Sequence, residues 1–226
     1  MSIDLPPIIY EDSAIVAFDK PAGLRVIPDG WDKSRPNLRE MLKAMNFDYF
    51  IVHRLDKDTS GVLILAKDAA IHRALSLSFE RREVTKKYFA IVNGLPALNQ
   101  LTIDKPLLVN GDRRHRTVID DETGKRATTE VEVLERFVNF SFLTCRPHSG
   151  YTHQIRAHLA SIEHPILNDA LYFPQAPSHS LPITRLALHA SELIVTHPSS
   201  GTLMTISSSL PIDFTLTLSQ LRKTAA

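Results

Sequence analysis

The chain has 226 residues, of which 43 % are hydrophobic and 23 % are charged, and its formal net charge is +1. This length allows one large domain or two small ones, and the hydrophobic content is high enough for a core and excludes a largely disordered chain. The small net charge argues mildly against a protein that coats nucleic acid through bulk charge. No stretch approaches the roughly 20 apolar residues of a membrane span, and the N-terminus has no signal-peptide pattern.

The cysteine content bounds the redox environment and the metal chemistry. Cys145 is the single cysteine of the sequence, which excludes a disulfide framework and a cysteine-based zinc site. A reducing cytoplasm fits this composition.

The first part of the chain predicts a hairpin followed by a helix. Apolar runs at residues 8–10 and 14–18 predict two strands joined by a turn. A Lys-Pro-Ala-Gly segment at 20–23 follows, and its proline and glycine enforce a bend. Apolar side chains at positions 38, 41, 42 and 45 then recur at the helical period. They predict a helix that begins near Pro36, with Ser34 as its cap.

The central feature of the sequence is a polar loop between two apolar runs. Residues 49–52 and 62–66 are mostly β-branched or aromatic, which predicts two strands. Between them the chain reads His-Arg-Leu-Asp-Lys-Asp-Thr-Ser-Gly, so the carboxylate of Asp56 lies close to Arg54 and Lys57. Neighbouring cations favour the ionised carboxylate, which is able to act as a nucleophile or as a base. The same composition also suits an ordinary turn, and composition alone leaves both interpretations open.

The later apolar patterns predict alternating helices and strands. Asp68 is a candidate cap for a helix, and residues 85–92 form the next strand. Residues 131–134 and 140–145 indicate paired antiparallel strands. Ser149 or Thr152 is the expected cap of a second helix that runs to about residue 162. This order of elements indicates an α+β fold with a mixed, mostly antiparallel sheet and flanking helices.

Basic residues cluster in two places along the chain. One group occupies positions 81, 82, 86 and 87, and the other is Arg113-Arg114-His115-Arg116. Together they form a candidate surface for RNA phosphates. A solvated, charged loop is an equally good interpretation of the second group.

Three histidines, His153, His158 and His164, lie in or just after the helix predicted to end near residue 162 and raise the question of a metal site. They lack the i, i+4 pairing and the partner glutamate of a helical zinc site, so we expect no metal. The sequence also has no glycine-rich phosphate loop, and we expect no organic cofactor.

The loop at residues 53–61 closely resembles the HRLD-x-x-T-S-G signature of the RluA-type pseudouridine synthases, which isomerise uridine in RNA. Other segments are similar to motifs of the same family: Lys-Pro-x-Gly at 20–23, Lys-x-Tyr-x-Ala at 86–90, Gly-Lys-x-Ala-x-Thr at 124–129 and Thr-His-Gln-Ile-Arg-x-His at 152–158. The resemblance runs from about residue 8 to residue 214. It implies a single catalytic domain over residues 1–226, without the small N-terminal RNA-binding domain that the family often carries.

The resemblance also implies the pseudouridine synthase fold with a central active-site cleft, and it assigns roles to single residues. Asp56 matches the catalytic aspartate, and Arg156 matches the arginine that pairs with it. Tyr88 matches a tyrosine beside the target base, although composition alone favours a packed strand residue. The other implied substrate contacts are Arg54, in the space that the flipped nucleotide leaves, and Ile155 and Leu188, as walls of the pocket.

The sequence departs from the family pattern at two positions. Tyr151 stands where the family usually has arginine, and Asn168 stands where it usually has glycine. Asparagine tolerates the left-handed backbone that glycine would supply, so we expect the fold to be kept. We interpret Tyr151 as a changed RNA contact, since it replaces a cation with a ring that can stack on a base.

The sequence therefore predicts an RNA pseudouridine synthase that isomerises specific uridines in tRNA, in large-subunit rRNA or in both. The expected substrate is a structured stem-loop with a flipped uridine. The expected protein is a cytoplasmic monomer that uses no metal, no cofactor and no membrane. One alternative is a non-catalytic RNA-binding module that uses the same cleft. A second alternative, a hydrolase with Asp56 as its base, lacks a nearby nucleophile–base pair in the sequence.

Overall fold

The computed structural model describes residues 5–28, 36–175 and 179–225, and the chain forms two compact units. The first unit comprises Met1–Thr85 together with Ala190–Ser209, and the second comprises Lys86–His189 together with Leu210–Ala226. Each unit is therefore assembled from two separate stretches of the chain.

The described residues form the following strands and helices, in chain order. The strands are β1 (Ile8–Glu11), β2 (Ile15–Lys20), β3 (Phe50–Ile51), β4 (Ser60–Ala66), β5 (Thr85–Asn93), β6 (Gln100–Asp104), β7 (Leu107–Leu108), β8 (Val118–Ile119), β9 (Thr128–Arg136), β10 (Phe140–Pro147), β11 (Leu188–Thr196) and β12 (Leu203–Ser207). The helices are α1 (Leu38–Ala44), α2 (Ala69–Glu80), α3 (Gln154–Ala160) and α4 (Ile212–Ala225).

The sheet of the first unit is centred on β2 and β4, which run antiparallel with Ile15 opposite Ala66 and Lys20 opposite Gly61. β1 pairs with β2, β3 pairs with β4, β11 lies beside β4, and β12 pairs with β11. Every residue of β4 is buried, and Val62, Ile64 and Ala66 share one core with apolar side chains of β2, β11 and α2. The predicted strands on both sides of the polar loop are thus confirmed.

The starts of α1 and α2 show how local sequence sets helix boundaries. Asp68 caps α2 as predicted, because its carboxylate accepts a hydrogen bond from the backbone N–H of Ile71 over 2.8 Å. α1 begins at Leu38, and Asn37 is its cap, accepting from the N–H of Glu40 over 3.1 Å. The predicted start near Pro36 was therefore early, and Ser34 lies outside the described residues.

The second unit is built on the strand order β5, β10, β9 and β6, with each neighbouring pair antiparallel. β7 and β8 form a separate short antiparallel pair. Side chains of β5, β9 and β10 join those of α3 and α4 in the main core of this unit. The prediction of an α+β fold with a mixed, mostly antiparallel sheet and flanking helices is confirmed.

The cap predicted for α3 was wrong. The residue before the helix is His153, which has a left-handed backbone with φ of 57° and makes no capping hydrogen bond with its side chain. The hydroxyl of Ser149 instead donates to the side-chain oxygen of Gln154 over 2.8 Å. This bond still ties the loop to the first residue of the helix, although it is not a backbone cap.

α4 was not predicted as a helix, because the family resemblance ends at about residue 214. The helix begins directly after Pro211 and places Phe214, Leu218 and Leu221 in the core of the second unit. This spacing is typical of one helical face. In the part of the chain that the structure describes, no helix is both long and apolar enough to cross a membrane.

Candidate active site

The polar loop at 53–61 leaves the sheet at the end of β3, and His53 marks the departure. Its Nε2 atom accepts the backbone N–H of Ile64 in β4 over 3.1 Å, so the ring continues the ladder of hydrogen bonds where β3 stops. The ring also stacks on Phe79 of α2, with ring centroids 4.7 Å apart and ring planes 17° apart. His53 therefore fixes the start of the loop and is not available as a general base in this arrangement.

Lys20, at the end of β2, holds the middle of the loop. Its side chain is fully buried, and its Nζ atom donates to the carbonyl oxygens of Pro21, Leu24 and Lys57 over 2.8 to 3.0 Å. The carbonyl of Lys57 also accepts the N–H of Gly23 over 2.9 Å. The Lys-Pro-Ala-Gly segment is thus more than a bend, because it clamps the residue that follows Asp56.

Asp56 opens a turn in which the N–H of Thr59 donates to its backbone carbonyl over 3.2 Å. The residue is half-buried, whereas Leu55 on one side is buried and Lys57 on the other is exposed. The loop ends at Gly61, where φ is +113° and a Cβ atom would lie 2.1 Å from the carbonyl oxygen of Ala190. Only glycine fits there, and this close approach fixes the end of the loop.

In the second unit, Arg156 is held by a fully buried carboxylate. Its Nε and Nη2 atoms each donate to one oxygen of Asp169 over 2.8 Å, which is the bidentate geometry that arginine favours. The oxygen that takes Nη2 also accepts the backbone N–H groups of Leu171 and Tyr172 over 3.1 Å. Asp169 was not assigned a role from the sequence.

Tyr172 is a second residue that the sequence did not single out. The guanidinium of Arg156 lies 5.1 Å from the centre of its ring, and that of Arg116 lies 5.8 Å away. Its hydroxyl donates to the carbonyl of Thr117 and accepts the N–H of the same residue, both over 3.0 Å. Burial raises the pKa of Tyr172 to about 12, so its hydroxyl keeps its proton near neutral pH.

A buried polar chain fixes α3 against the start of β9. Nε2 of Gln154 donates to the hydroxyl oxygen of Thr129, and that hydroxyl lies 2.8 Å from Nδ1 of His158. Nε2 of His158 lies 3.0 Å from the carbonyl of Lys105, which only accepts, so Nε2 carries the proton and Nδ1 accepts from Thr129. Burial lowers the pKa of His158 and keeps it neutral. These side chains support the helix rather than titrate.

The three apolar or aromatic site residues of the second unit share one cluster. Ile155 and Leu188 are 5 % and 3 % exposed, and Tyr88 is half-buried and packs against the same cluster. Tyr88 lies opposite Cys145 in the β5–β10 pair. Ile155 and Leu188 thus lie in the core of the second unit and Tyr88 packs against that core, while Arg54 and Asp56 belong to the first unit.

Comparison with known proteins decides the family. The family model described as RNA pseudouridylate synthase matches residues 14–161, which span the polar loop, β5 and the helix that carries Arg156. The chain belongs to the RNA pseudouridylate synthase family. It is accordingly an RNA pseudouridine synthase, an isomerase whose substrate is RNA.

Relatives of this synthase agree with that assignment. It is 36 % identical to "Dual-specificity RNA pseudouridine synthase RluA" of Escherichia coli K12 over 92 % of this chain and 93 % of the relative. It is 34 % identical to "Ribosomal large subunit pseudouridine synthase D" of Zymomonas mobilis, covering 94 % of this chain and 72 % of the relative. The solved structure of human RNA pseudouridylate synthase domain containing 4 is 27 % identical, with a TM-score of 0.76 over 95 % of this chain and 92 % of that one.

The basic residues of this synthase fall into two groups with different surroundings. Arg113 and Arg114 are exposed, whereas Arg116 donates to the carboxylate of Asp112 over 2.7 Å. Asp112 also accepts the backbone N–H groups of Arg114 and Arg116 over 3.0 and 2.9 Å. The hydrogen bonds from Arg116 lower the pKa of Asp112, so the turn is held by an ionised carboxylate.

The other predicted basic residues are also distinguished by their contacts. Arg81 and Arg82 are exposed at the end of α2. Lys86 donates to the carbonyl of Ser149 over 2.7 Å, and the ammonium of Lys87 lies 5.5 Å from the ring centre of Phe89. Lys86 therefore also supports the loop before α3.

The two departures from the family pattern have structural roles. Tyr151 packs against a small cluster formed by Leu107, Ala127 and Ala157, which joins β7 to α3. Asn168 has a left-handed backbone with φ of 61°, as expected for a replacement of glycine. Its side chain also donates to the carbonyl of Ile183 over 2.8 Å, so it ties two loop segments together.

The histidines considered as metal ligands make contacts with other protein groups. His158 is part of the buried chain described above, and Nδ1 of His164 lies 3.2 Å from the carbonyl oxygen of Asn93. Within the described ranges, no group of three or more His, Cys, Asp or Glu side chains is arranged to hold a metal ion.

Proposed function

We propose that Asp56 is the catalytic carboxylate of this RNA pseudouridine synthase. One observation carries the proposal: the residue is half-buried at the head of a turn whose backbone is clamped directly beyond it by Lys20 and Gly23. A carboxylate on a fixed backbone keeps its position during the reaction, as catalysis by positioning requires. The match of Asp56 to the catalytic aspartate of the family motif supports the same assignment.

The reaction is an isomerisation that needs no oxidant, reductant or second substrate. The bond between N1 of uracil and C1′ of the ribose breaks, the base rotates, and C5 forms a new bond to C1′. The proton on C5 is lost, and N1 gains a proton, so the atoms balance. A carboxylate assists either by attacking the sugar or by aiding a deprotonation, and both roles suit Asp56.

The proposed base-binding residues are Tyr88, Ile155 and Leu188. Their common cluster supports this assignment, because a freed uracil needs an apolar wall and a stacking partner while it rotates. Tyr88 is the half-buried member, which suits a ring that stacks on the base. Ile155 and Leu188 are almost fully buried and would give that wall its shape.

The proposed roles of the two arginines are different. Arg156 keeps Asp56 ionised and oriented, as the resemblance to the family implies, and its rigid anchoring by Asp169 suits that task. Arg54 is exposed in the same loop as Asp56 and occupies the space that the flipped nucleotide leaves.

The experiment for Asp56 compares two carboxylates of one turn. Asp56→Ala should lose pseudouridine formation while its melting temperature stays within a few degrees of the wild type, since the turn that Asp56 opens is closed by a bond from the N–H of Thr59 to the backbone carbonyl of Asp56, which the substitution keeps. Asp58→Ala is the matched control, because Asp58 is exposed two residues later and should keep its activity. The readout is release of tritium from C5 of uridine in RNA. Residual turnover of Asp56→Ala above roughly 1 % of wild type would remove Asp56 from this role.

We propose that the substrates are uridines in tRNA, in large-subunit rRNA or in both, within a structured stem-loop from which the uridine flips. The printed names of the two relatives, one dual-specific and one acting on the ribosomal large subunit, support this choice. Pseudouridine profiling of total RNA from cells that lack the enzyme should show missing sites in these RNAs. Expression of the wild type should restore them, and expression of Asp56→Ala should not.

We further propose that the enzyme works as a cytoplasmic monomer without metal or cofactor. The isomerisation has no redox step, and the single cysteine, Cys145, is buried and free, which suits a reducing compartment. Activity on pre-folded RNA should survive EDTA, and sedimentation should give the mass of one chain, 25.3 kDa. A loss of activity that zinc alone restores would overturn the metal-free proposal.

A further inference from the structure

We propose that Tyr172 is a positioning residue that couples RNA binding to catalysis, because its hydroxyl fixes the basic loop and its ring fixes Arg156. The basic loop is defined as residues 112–117. This inference rests on the proposed function, which gives Arg156 a role in catalysis and the loop a role in RNA binding.

The hydroxyl of Tyr172 holds the end of the basic loop at two points. It accepts the N–H of Thr117 and donates to the carbonyl of the same residue, both over 3.0 Å. Thr117 is 1 % exposed, and its own hydroxyl donates to the carbonyl of Thr152 over 2.6 Å. Leaving the buried N–H and carbonyl of Thr117 without these hydrogen bonds would cost free energy, so the hydroxyl of Tyr172 is a specific anchor of this loop.

Hydrogen bonds within the basic loop connect its anchored end at Thr117 to its exposed arginines. Asp112 accepts hydrogen bonds from the backbone of Arg114 and from both the backbone and the guanidinium of Arg116. Arg113 and Arg114 lie on the exposed part of this closed turn. A turn that is formed before RNA binds avoids part of the ordering cost of association.

The ring of Tyr172 holds Arg156 by a separate contact. The guanidinium of Arg156 lies 5.1 Å from the ring centre, within cation–π distance. Asp169 binds that guanidinium through two hydrogen bonds and also accepts the backbone N–H of Tyr172. The backbone and the ring of Tyr172 are therefore both part of the support of Arg156.

These two contacts use different atoms of one side chain, which makes them separable by mutation. Tyr172→Phe keeps the ring beside Arg156 and removes both hydrogen bonds to Thr117, together with the longer contact of 3.4 Å between the hydroxyl and Nδ1 of His153. Tyr172→Leu removes the ring as well. If Tyr172 were only a packing residue, the two substitutions would affect folding stability and leave no distinct pattern in the kinetics.

The test measures initial rates of tritium release over a range of RNA concentrations, with tritium-labelled total RNA from cells lacking the enzyme as the probe. Tyr172→Phe should raise the RNA concentration for half-maximal rate by about fivefold, since one net hydrogen bond corresponds to about 1 kcal/mol, and should lower the saturated rate by much less. Tyr172→Leu should in addition lower the saturated rate by about tenfold or more. Tyr10→Phe is the matched control, because Tyr10 bonds only to Asp12 among the contacts described.

Three outcomes would overturn the inference. They are a half-maximal concentration for Tyr172→Phe equal to that of wild type, an equal loss of saturated rate in Tyr172→Phe and Tyr172→Leu, and a shift in Tyr10→Phe as large as that in Tyr172→Phe. If Tyr172→Leu does not fold, the split seen in Tyr172→Phe still decides. Failure of the proposed function would give a different result. In that case Arg156→Lys would leave activity intact, and changing both Arg113 and Arg114 to alanine would leave RNA binding intact.

Discussion

The ammonium group of Lys20 donates a hydrogen bond to the backbone carbonyl of Lys57 over 3.0 Å, one residue beyond Asp56. Two further carbonyl oxygens, of Pro21 and Leu24, accept from the same ammonium group. A fully buried lysine thus connects the end of β2 to the loop of the proposed catalytic carboxylate. A charge in such a place is stabilising only while its partners remain.

Lys20→Met should lower the free energy of unfolding by about 2 to 5 kcal/mol, because the carbonyl groups of Pro21, Leu24 and Lys57 lose a charged hydrogen-bond donor at once. Urea denaturation at neutral pH measures this loss. Lys67→Met is the control: Lys67 pairs with Glu11 at a partly exposed site, and loss of such a pair changes stability by about 1 kcal/mol or less. Equal losses in the two variants would contradict a structural role for Lys20.

Gly61→Ala should destabilise the protein by at least about 3 kcal/mol, because it combines a strained backbone with a steric clash. The added Cβ would lie 2.1 Å from the carbonyl oxygen of Ala190. Gly201→Ala provides the comparison, since φ there is +71° and no atom lies within 4 Å of the added Cβ. That change should cost about 1 kcal/mol, which is the strain of the left-handed backbone alone. Similar melting temperatures for both variants would speak against the close approach.

Thr59→Val should leave stability unchanged or raise it by about 1 kcal/mol, because the hydroxyl removed has no partner to lose. Among the described residues, Oγ1 of Thr59 is the one buried side-chain nitrogen or oxygen without a hydrogen bond. Thr117→Val is the opposite case, because the hydroxyl of Thr117 donates to the carbonyl of Thr152 over 2.6 Å. That variant should lose about 1 to 3 kcal/mol in the same urea experiment. A marked loss of stability in Thr59→Val would show that the hydroxyl of Thr59 does make a stabilising hydrogen bond, which would contradict this prediction.

The stability of the wild type should depend on Asp12 in acid. Burial of Asp12 opposes its ionisation, but hydrogen bonds from the backbone N–H groups of Ile15 and Ala14 and from the side chains of Tyr10 and His197 outweigh it and lower the pKa of Asp12 to about 2. The ordinary value is about 3.9, so the ionised group adds stability above that pH and loses it as the pH falls towards 2.

Asp12→Asn should therefore have a lower urea midpoint than wild type near neutral pH, and the difference should shrink as the pH falls from about 4 to about 2. Asp58→Asn serves as the control on an exposed carboxylate of the polar loop. A difference between wild type and Asp12→Asn that is constant across this range would show that ionisation of Asp12 does not stabilise the fold.

RNA binding should be electrostatic and local, with Arg113 and Arg114 as contributors. Each phosphate contact releases counterions, so replacing both arginines with alanine should reduce the slope of log affinity against log salt by about 1 to 2. Arg116 is a weaker candidate, since its guanidinium is paired with Asp112. Arg39→Ala, an exposed change on α1, is the control. An unchanged slope in the double variant would place the phosphate contacts elsewhere.

Much of the fold follows from short-range patterns in the sequence. The strands on both sides of the polar loop, the hairpin at the start of the chain and the cap of α2 by Asp68 were all predicted from apolar period and capping residues. These features depend on residues within a few positions of each other, which is the range over which periodicity and capping act.

The support of the site was not predicted, because it depends on contacts between distant positions. Asp169 holds Arg156, 13 residues earlier, and Tyr172 holds Thr117, 55 residues earlier. The left-handed backbone of His153 likewise replaced the expected side-chain cap of α3. No local pattern in the sequence specifies which buried carboxylate or phenol will meet which partner. The motif positions themselves came from resemblance to a family, and their roles stay predictions.

The first unit is assembled from two separate stretches of the chain, and this affects the order in which it can fold during synthesis. The polar loop ends at Gly61, yet the backbone it closes against is that of Ala190 in β11, and His197 beyond that strand donates to the carboxylate of Asp12. A chain that grows from its N-terminus on the ribosome has synthesised the loop long before these partners exist. Until β11 is translated, the loop has the support of Lys20 and Gly23 but lacks the backbone against which Gly61 closes, so a chain truncated before β11 would carry the polar loop without its native end.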